Sequence, residues 1–180
     1  MIVYNAISQN DLEFQEEYFY LNSKHELLSQ FAGQWKTTIS YFGDTQEEYS
    51  QGTMEANFTL NFRIIELNFR LNSSAGIPYE MKYTIGYDGL SKKFFLIILN
   101  NLTNEILILK GTYSEKEKLF VFNGTSIDAK KKIRTPLIMK FLFERNNKIL
   151  ITSILKQGEK EKIVSKAMLI KIQSEEQNGM

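Results

Sequence analysis

The 180-residue chain has no cysteine and only two prolines, one tryptophan and one histidine. The lack of cysteine removes disulfides, thiolate metal sites and thiol nucleophiles, and it accords with a reducing compartment. A single imidazole, His25, cannot supply the ligand set of a usual zinc site, so no metal is expected. Neither sign of charge dominates: 22 Lys and Arg stand against 21 Asp and Glu, a net charge of +1. No global field therefore draws the chain onto nucleic acid or an anionic membrane. Long apolar runs are missing too, none reaching the roughly 18 to 20 residues of a membrane-spanning helix. The opening "MIVYNAISQNDLEFQEEYFYLNSK" has neither the basic start nor the long apolar run of a secretory signal. The expectation is a cytoplasmic protein with no nucleic-acid and no membrane partner.

What the chain does have is aromatic and β-branched residues in short runs, which with so little proline predicts mainly β structure. Two helical signals precede them. "NDLEFQEEYFYL" offers Asn10 as a cap and Leu12, Phe14, Tyr18 and Leu21 on one face. In "SKHELLSQFAG", Ser23 and Glu26 have capping-box spacing, Leu27, Leu28 and Phe31 form the apolar side, and Gly33 can end the helix. His25, in the first turn, reads as an exposed helix-start residue.

After Gly33 the period changes from about 3.6 to 2. Trp35, Thr37, Ile39 and Tyr41 form one face of the first strand. Gly52, Met54, Ala56, Phe58 and Leu60 follow, then Arg63, Ile65, Leu67, Phe69 and Leu71, then Tyr79, Met81, Tyr83, Ile85 and Tyr87. Turn signals such as "SSAGIP", "LTNE" and "KQGEKEK" punctuate about ten strands, and no helix long enough for a parallel crossover separates them. In "IGYDGLSKK", Gly86 and Asp88-Gly89 read as a hairpin with positive φ rather than a phosphate loop, because no helix follows. "DAKKKIR", with Lys130, Lys131, Lys132 and Arg134, reads as a solvated hairpin. The expected fold is an antiparallel β-barrel of about ten strands with short N-terminal helices. Residues 1–22 would form an extension, 23–173 the barrel and 174–180 a polar tail.

Gly33-x-Trp35 at the start of the first strand, just after a short helix, resembles the opening motif of calycin barrels, in which the tryptophan closes one end. The resemblance extends further. Arg63, the block Ile85-Gly86-Tyr87-Asp88, and Gly111 with Tyr113 fall in the order of the bacterial domain of unknown function 1579 family. Its members resemble calycin-like, or lipocalin-like, barrels, and the likeness runs from Lys24 to Gln173. Two departures stand out. Asn61 and Phe62 replace small glycine-rich residues before the arginine, and "FFLIILNN" lacks a tryptophan often found there. The resemblance implies a fold, with Gly33 and Trp35 at the barrel closure, and no established activity. Some small ten-stranded barrels hold haem through a histidine on a late strand, and this chain has none after His25.

For function the sequence suggests a binder of a small, largely apolar molecule. Arg63 would anchor a ligand carboxylate, Tyr83 and Tyr87 would orient it, and Met54, Phe58, Met81 and Phe141 would supply contact area. Arg63 could equally pair with Glu66 or Asp88, or leave for solvent. No catalytic residue and no cofactor is assigned: Glu66, Glu80 and Asp88 fall on mixed faces, and no serine sits in a nucleophile-elbow context. One alternative is a small lyase or isomerase using tyrosine and arginine. Another is an interaction protein, since "FFLIIL" (Phe94–Leu99) and "ILIL" (Ile106–Leu109) are apolar on both faces and would suit a homodimer interface.

Overall fold

The alternation that begins at Trp35 commits each strand to one wet and one dry face, and the chain resolves that demand by closing its sheet. The computed structural model describes residues 20–43, 47–128, 133–145 and 147–173. The expected helix over Asn10–Leu21 (apart from its last two residues), the tail 174–180 and the Lys130–Lys132 cluster lie outside the described residues. The strands are β1 (Gly33–Phe42), β2 (Glu47–Thr59), β3 (Ile64–Ser73), β4 (Pro78–Asp88) and β5 (Lys93–Asn100). They continue with β6 (Leu107–Ser114), β7 (Leu119–Asp128), β8 (Ile133–Glu144), β9 (Lys148–Gln157) and β10 (Lys160–Lys171). Every strand pairs antiparallel with its neighbours in sequence, and β10 returns to pair with β1. The result is a closed barrel with no free edge, as the meander of alternating strands predicted.

Closure requires tilted strands. Thr37, Gly52, Leu71 and Tyr79 stand side by side along the ladder from β1 to β4. Across the lumen, however, the Tyr79 hydroxyl meets that of Tyr41, four residues further along β1. Strands at this tilt approach closely at Gly52, where an added side chain would collide with the carbonyl oxygen of Arg70. Only glycine fits there.

One end of the barrel is sealed from within. A short helix α1 (Ser23–Glu26) runs into a 3-10 helix (Leu27–Phe31) that delivers Leu28 and Phe31 to the core, both without solvent exposure. The Phe31 ring lies 4.9 Å from Phe143, 5.5 Å from Phe120 and 5.8 Å from Phe141, centroid to centroid. Trp35 Nε1 donates to the Phe31 carbonyl at 2.8 Å, satisfying the one polar group of an otherwise apolar side chain. Gly33, at φ 116°, takes the conformation that lets the chain turn from helix to strand within two residues. The cap itself differs from the expected Ser23–Glu26 box. Asn22 is the N-cap, its Oδ1 accepting from Lys24 N at 3.0 Å, and His25 occupies the reciprocal position. Asparagine caps as well as serine does, so the frame shifts by one residue.

Two further readings are corrected. Arg63 does not sit on the inward face of β3, because the chain leaves the sheet after Thr59 and makes a turn over Leu60–Arg63 that leaves Arg63 exposed. Leu60, Asn61 and Phe62 all have positive φ (49°, 53° and 65°). That conformation costs a non-glycine residue about 1–2 kcal/mol. Contact between the Phe58 and Phe62 rings, 5.1 Å apart, offsets part of the cost. In the β4–β5 hairpin the positive φ belongs to Lys92 rather than Gly89. There Asp88 organises the turn by accepting from Leu90 N and from the Ser91 hydroxyl. The doubly apolar "FFLIIL" and "ILIL" divide their faces: Phe94, Leu96, Ile98 and Leu109 are buried in the lumen, while Leu99, Ile106 and Ile108 face outward.

Phe31→Ala is expected to cost about 3–5 kcal/mol, the range for emptying a fully buried phenylalanine site. Urea unfolding followed by circular dichroism checks this, and a loss below about 1 kcal/mol would show that the seal is dispensable to the barrel.

Candidate functional site

At the end opposite the seal, β1 and β3 finish and β2 and β4 begin. There a cavity of about 640 Å³ opens to solvent. Its walls are Tyr41, Glu48, Ser50, Tyr79, Met81 and Leu102, completed by the Ser73–Ile77 hairpin and the residues around Leu102. Local hydrogen bonds build this rim. Ser73 N donates to the Ile77 carbonyl at 2.9 Å, and Ile77 N donates back to the Ser73 hydroxyl at 3.1 Å. Ser74 N ties the hairpin to β2 through the Tyr49 carbonyl at 2.8 Å. Across the mouth, Asn100 Oδ1 accepts from the amides of Leu102 and Thr103 at 2.9 and 2.8 Å, which turns exposed Leu102 over the opening.

Apart from Glu48 on the exposed rim, the polar groups of the mouth are neutral. The Tyr41 and Tyr79 hydroxyls lie 2.8 Å apart. Burial, then the hydrogen bond to Tyr79, pushes the Tyr41 phenol far above its ordinary range. Burial does the same to Tyr83, with Tyr79 beside it. Both remain protonated at every physiological pH, as hydrogen-bonding groups rather than anions. Ser50, almost fully buried, lines the wall. On the same face of β1 as Tyr41, Thr37 is only 2% exposed, and its hydroxyl has no hydrogen-bond partner among the described residues. A buried hydroxyl left unpaired costs about 1–3 kcal/mol, which a water or a ligand group can recover.

The residues expected to form one site fall in three places. Met81 lines the mouth, and Tyr83 lies beneath it, its ring 4.8 Å from Phe69 and 6.4 Å from Phe141. Met54 and Phe141 are fully buried core, and Phe58 packs near the sealed end against Phe62. Gly33 and Trp35 take part in the seal. Tyr87 belongs to that end as well. It is eight residues, or about 26 Å of strand, from Tyr79, and its ring meets His25 edge-on at 5.8 Å. Arg63 stands in the turn on the same side, so it cannot anchor a carboxylate in the mouth. Glu66, an expected partner of Arg63, lies 2.8 Å from Lys82 Nζ through its Oε2. Tyr41 and Ser50 were not assigned from the sequence, although Tyr41 ends the inward series of β1. The missing knowledge was which end of the barrel stays open.

His25 is buried rather than exposed. Its Nδ1 lies 3.2 Å from Asn22 N and can accept that amide hydrogen to complete the cap. Burial, then the Arg63 guanidinium, lowers its pKa below the usual imidazole value. Among the described residues no three His, Asp or Glu side chains gather as a metal site, and no helix is long and apolar enough to cross a membrane.

The model of the family described as "Protein of unknown function (DUF1579)" matches residues 21–170. The chain belongs to this family. A comparison with curated proteins gives no match. Among solved structures, Rv2717c from M. tuberculosis is similar at a TM-score of 0.61 and 12% identity, over 85% of this chain and 99% of that one. The S-type phycobiliprotein lyase CPES from Guillardia theta is similar at a TM-score of 0.55 and 13% identity, over 93% and 99%. At these identities the likeness is one of fold, a small β-barrel.

Because the folded state prefers neutral His25, its contribution to stability is full above the unfolded-state pKa of about 6.5 and is lost as pH falls below that value. Between about pH 7 and about pH 5 the wild type is expected to lose more thermal stability than His25→Gln does. Melting curves at the two pH values decide it, and equal losses would mean that His25 protonates without cost.

Proposed function

We propose that this member of the DUF1579 family binds a small, largely apolar molecule in the open mouth of its barrel. The observation that supports this reading is a pre-formed cavity within the usual size range of ligand sites, with apolar walls and a few convergent hydroxyls. Met81 and Leu102 offer apolar contact, and Tyr41, Tyr79 and Ser50 offer polar contact. The anchoring arginine expected from the sequence drops out of this mouth, so a lyase or isomerase reading that uses a tyrosine with Arg63 gains no support from it.

Native mass spectrometry of the purified protein, followed by denaturing extraction, would detect a molecule carried in the mouth. Independently, Ser50→Phe places an aromatic ring in the wall. It is expected to abolish saturable binding of N-phenyl-naphthylamine, a neutral fluorescent probe, while circular dichroism shows the barrel intact. Unchanged binding in that folded variant would place the probe elsewhere and remove the support for a mouth site.

A second reading rests on the outer wall. Leu99, Ile106 and Ile108 are 38%, 61% and 62% exposed, and a groove of about 680 Å³ runs past Ile106, Ile108 and Ile127. We propose that this outward set, rather than the whole of Phe94–Leu99 and Ile106–Leu109, contacts a second copy of the chain. Sedimentation equilibrium of the wild type against the Ile106→Lys, Ile108→Lys variant is expected to show dimer converted to monomer. A wild type that is monomeric at high concentration would end this reading.

A further inference from the structure

Whatever enters the mouth meets a particular electrostatic environment. Among the described residues lining the cavity there is no lysine, arginine or histidine, and the one carboxyl among them is Glu48, on the exposed rim. The deeper polar groups are hydroxyls: the Tyr41–Tyr79 pair, Ser50 and, below them on the β1 face, Thr37. Two hydroxyls that share one hydrogen bond still have one O–H hydrogen and several lone pairs to offer. The pair can therefore both donate to and accept from a ligand group placed against it.

An anion in this site would leave water with no cation to meet it, beside a rim carboxylate of the same sign. A neutral group that donates and accepts, such as a hydroxyl or a carboxamide, would match the tyrosine pair. We propose that the mouth selects uncharged molecules with an apolar body and one inner hydroxyl or amide group, and rejects carboxylates and sulfonates. The inference rests on the mouth-binding reading and narrows it to a ligand class. It also reverses the carboxylate-anchoring role first assigned to Arg63, because that side chain lies at the sealed end of the barrel.

The test uses two probes with the same aromatic body, N-phenyl-naphthylamine and its sulfonated counterpart anilinonaphthalene sulfonate, titrated against the full chain by fluorescence. The wild type is expected to hold the neutral probe at least about tenfold more tightly. Greater hydrophobicity alone could favour the neutral probe, so Glu48→Lys is the deciding variant. Replacing the rim carboxylate by a cation should tighten the sulfonate about fivefold or more relative to the neutral probe measured in the same variant. A sulfonate bound as tightly as the neutral probe, with both blocked by Ser50→Phe, would overturn the charge selection while leaving the mouth as a site. A sulfonate affinity indifferent to Glu48→Lys would likewise overturn it. Binding of either probe that survives Ser50→Phe, or no saturable binding of either, would overturn the mouth-binding reading and this inference with it.

Discussion

A barrel of eight strands can just fill its interior with its own wall side chains, and the interior widens as strands are added. Ten strands therefore leave a lumen that the walls alone do not fill, and how that space is managed decides the rest of the structure. The chain fills one half by inserting Phe31 from outside the sheet into a cluster with Phe120, Phe141 and Phe143. Trp35 holds the insertion in place through its bond to the Phe31 carbonyl. The other half has no inserted element among the described residues, and there the lumen becomes the cavity bounded by Tyr41, Tyr79 and Met81. Seal and mouth are two answers to the same excess of interior.

The two ends also differ in their chemistry. The sealed end carries the strained Leu60–Phe62 turn, Arg63, and a histidine that burial and the nearby guanidinium keep from charging. Its interior is aromatic, and its polar groups are used in capping and in the Trp35 bond. The open end carries hydroxyls that the fold does not require. Phenylalanine at Tyr41 and Tyr79 would fill the same wall without a polar group to satisfy, and valine at Thr37 would avoid a buried orphan hydroxyl. Polar groups whose removal would ease folding are those most open to an explanation by binding.

Period-2 alternation from Trp35 onward made the strands, their inward faces and the closed meander legible from the sequence, because burial on one face fixes side-chain direction. The helix-to-strand passage at Gly33 was legible for the same kind of reason: a period changes there, and glycine permits the turn. Arg63 shows where the method stops. Alternation extrapolated one residue beyond Ile65's strand placed it inward, but a three-residue left-handed turn had already broken the register. No propensity rule predicts such a turn for Leu-Asn-Phe, since only the asparagine readily adopts the left-handed region. His25 was misread because a helix four residues long has no solvent side of its own; tertiary contact with Tyr87 decides its burial.

The candidate site was harder to see than the fold because a barrel's inward list does not distinguish core from cavity. Met54 and Met81 occupy the same ladder row through Phe69, and both point inward. Met54 is fully buried, and Met81 lines the mouth. Which of two equivalent side chains meets solvent depends on strand tilt and on where the sealing helix enters, and both are properties of the closed barrel rather than of any one strand. Charge carries further than burial here. Among the described residues the mouth has hydroxyls and one rim carboxylate and no lining cation. That difference is what the proposed preference for neutral molecules rests on, against the anion site that Arg63 first suggested.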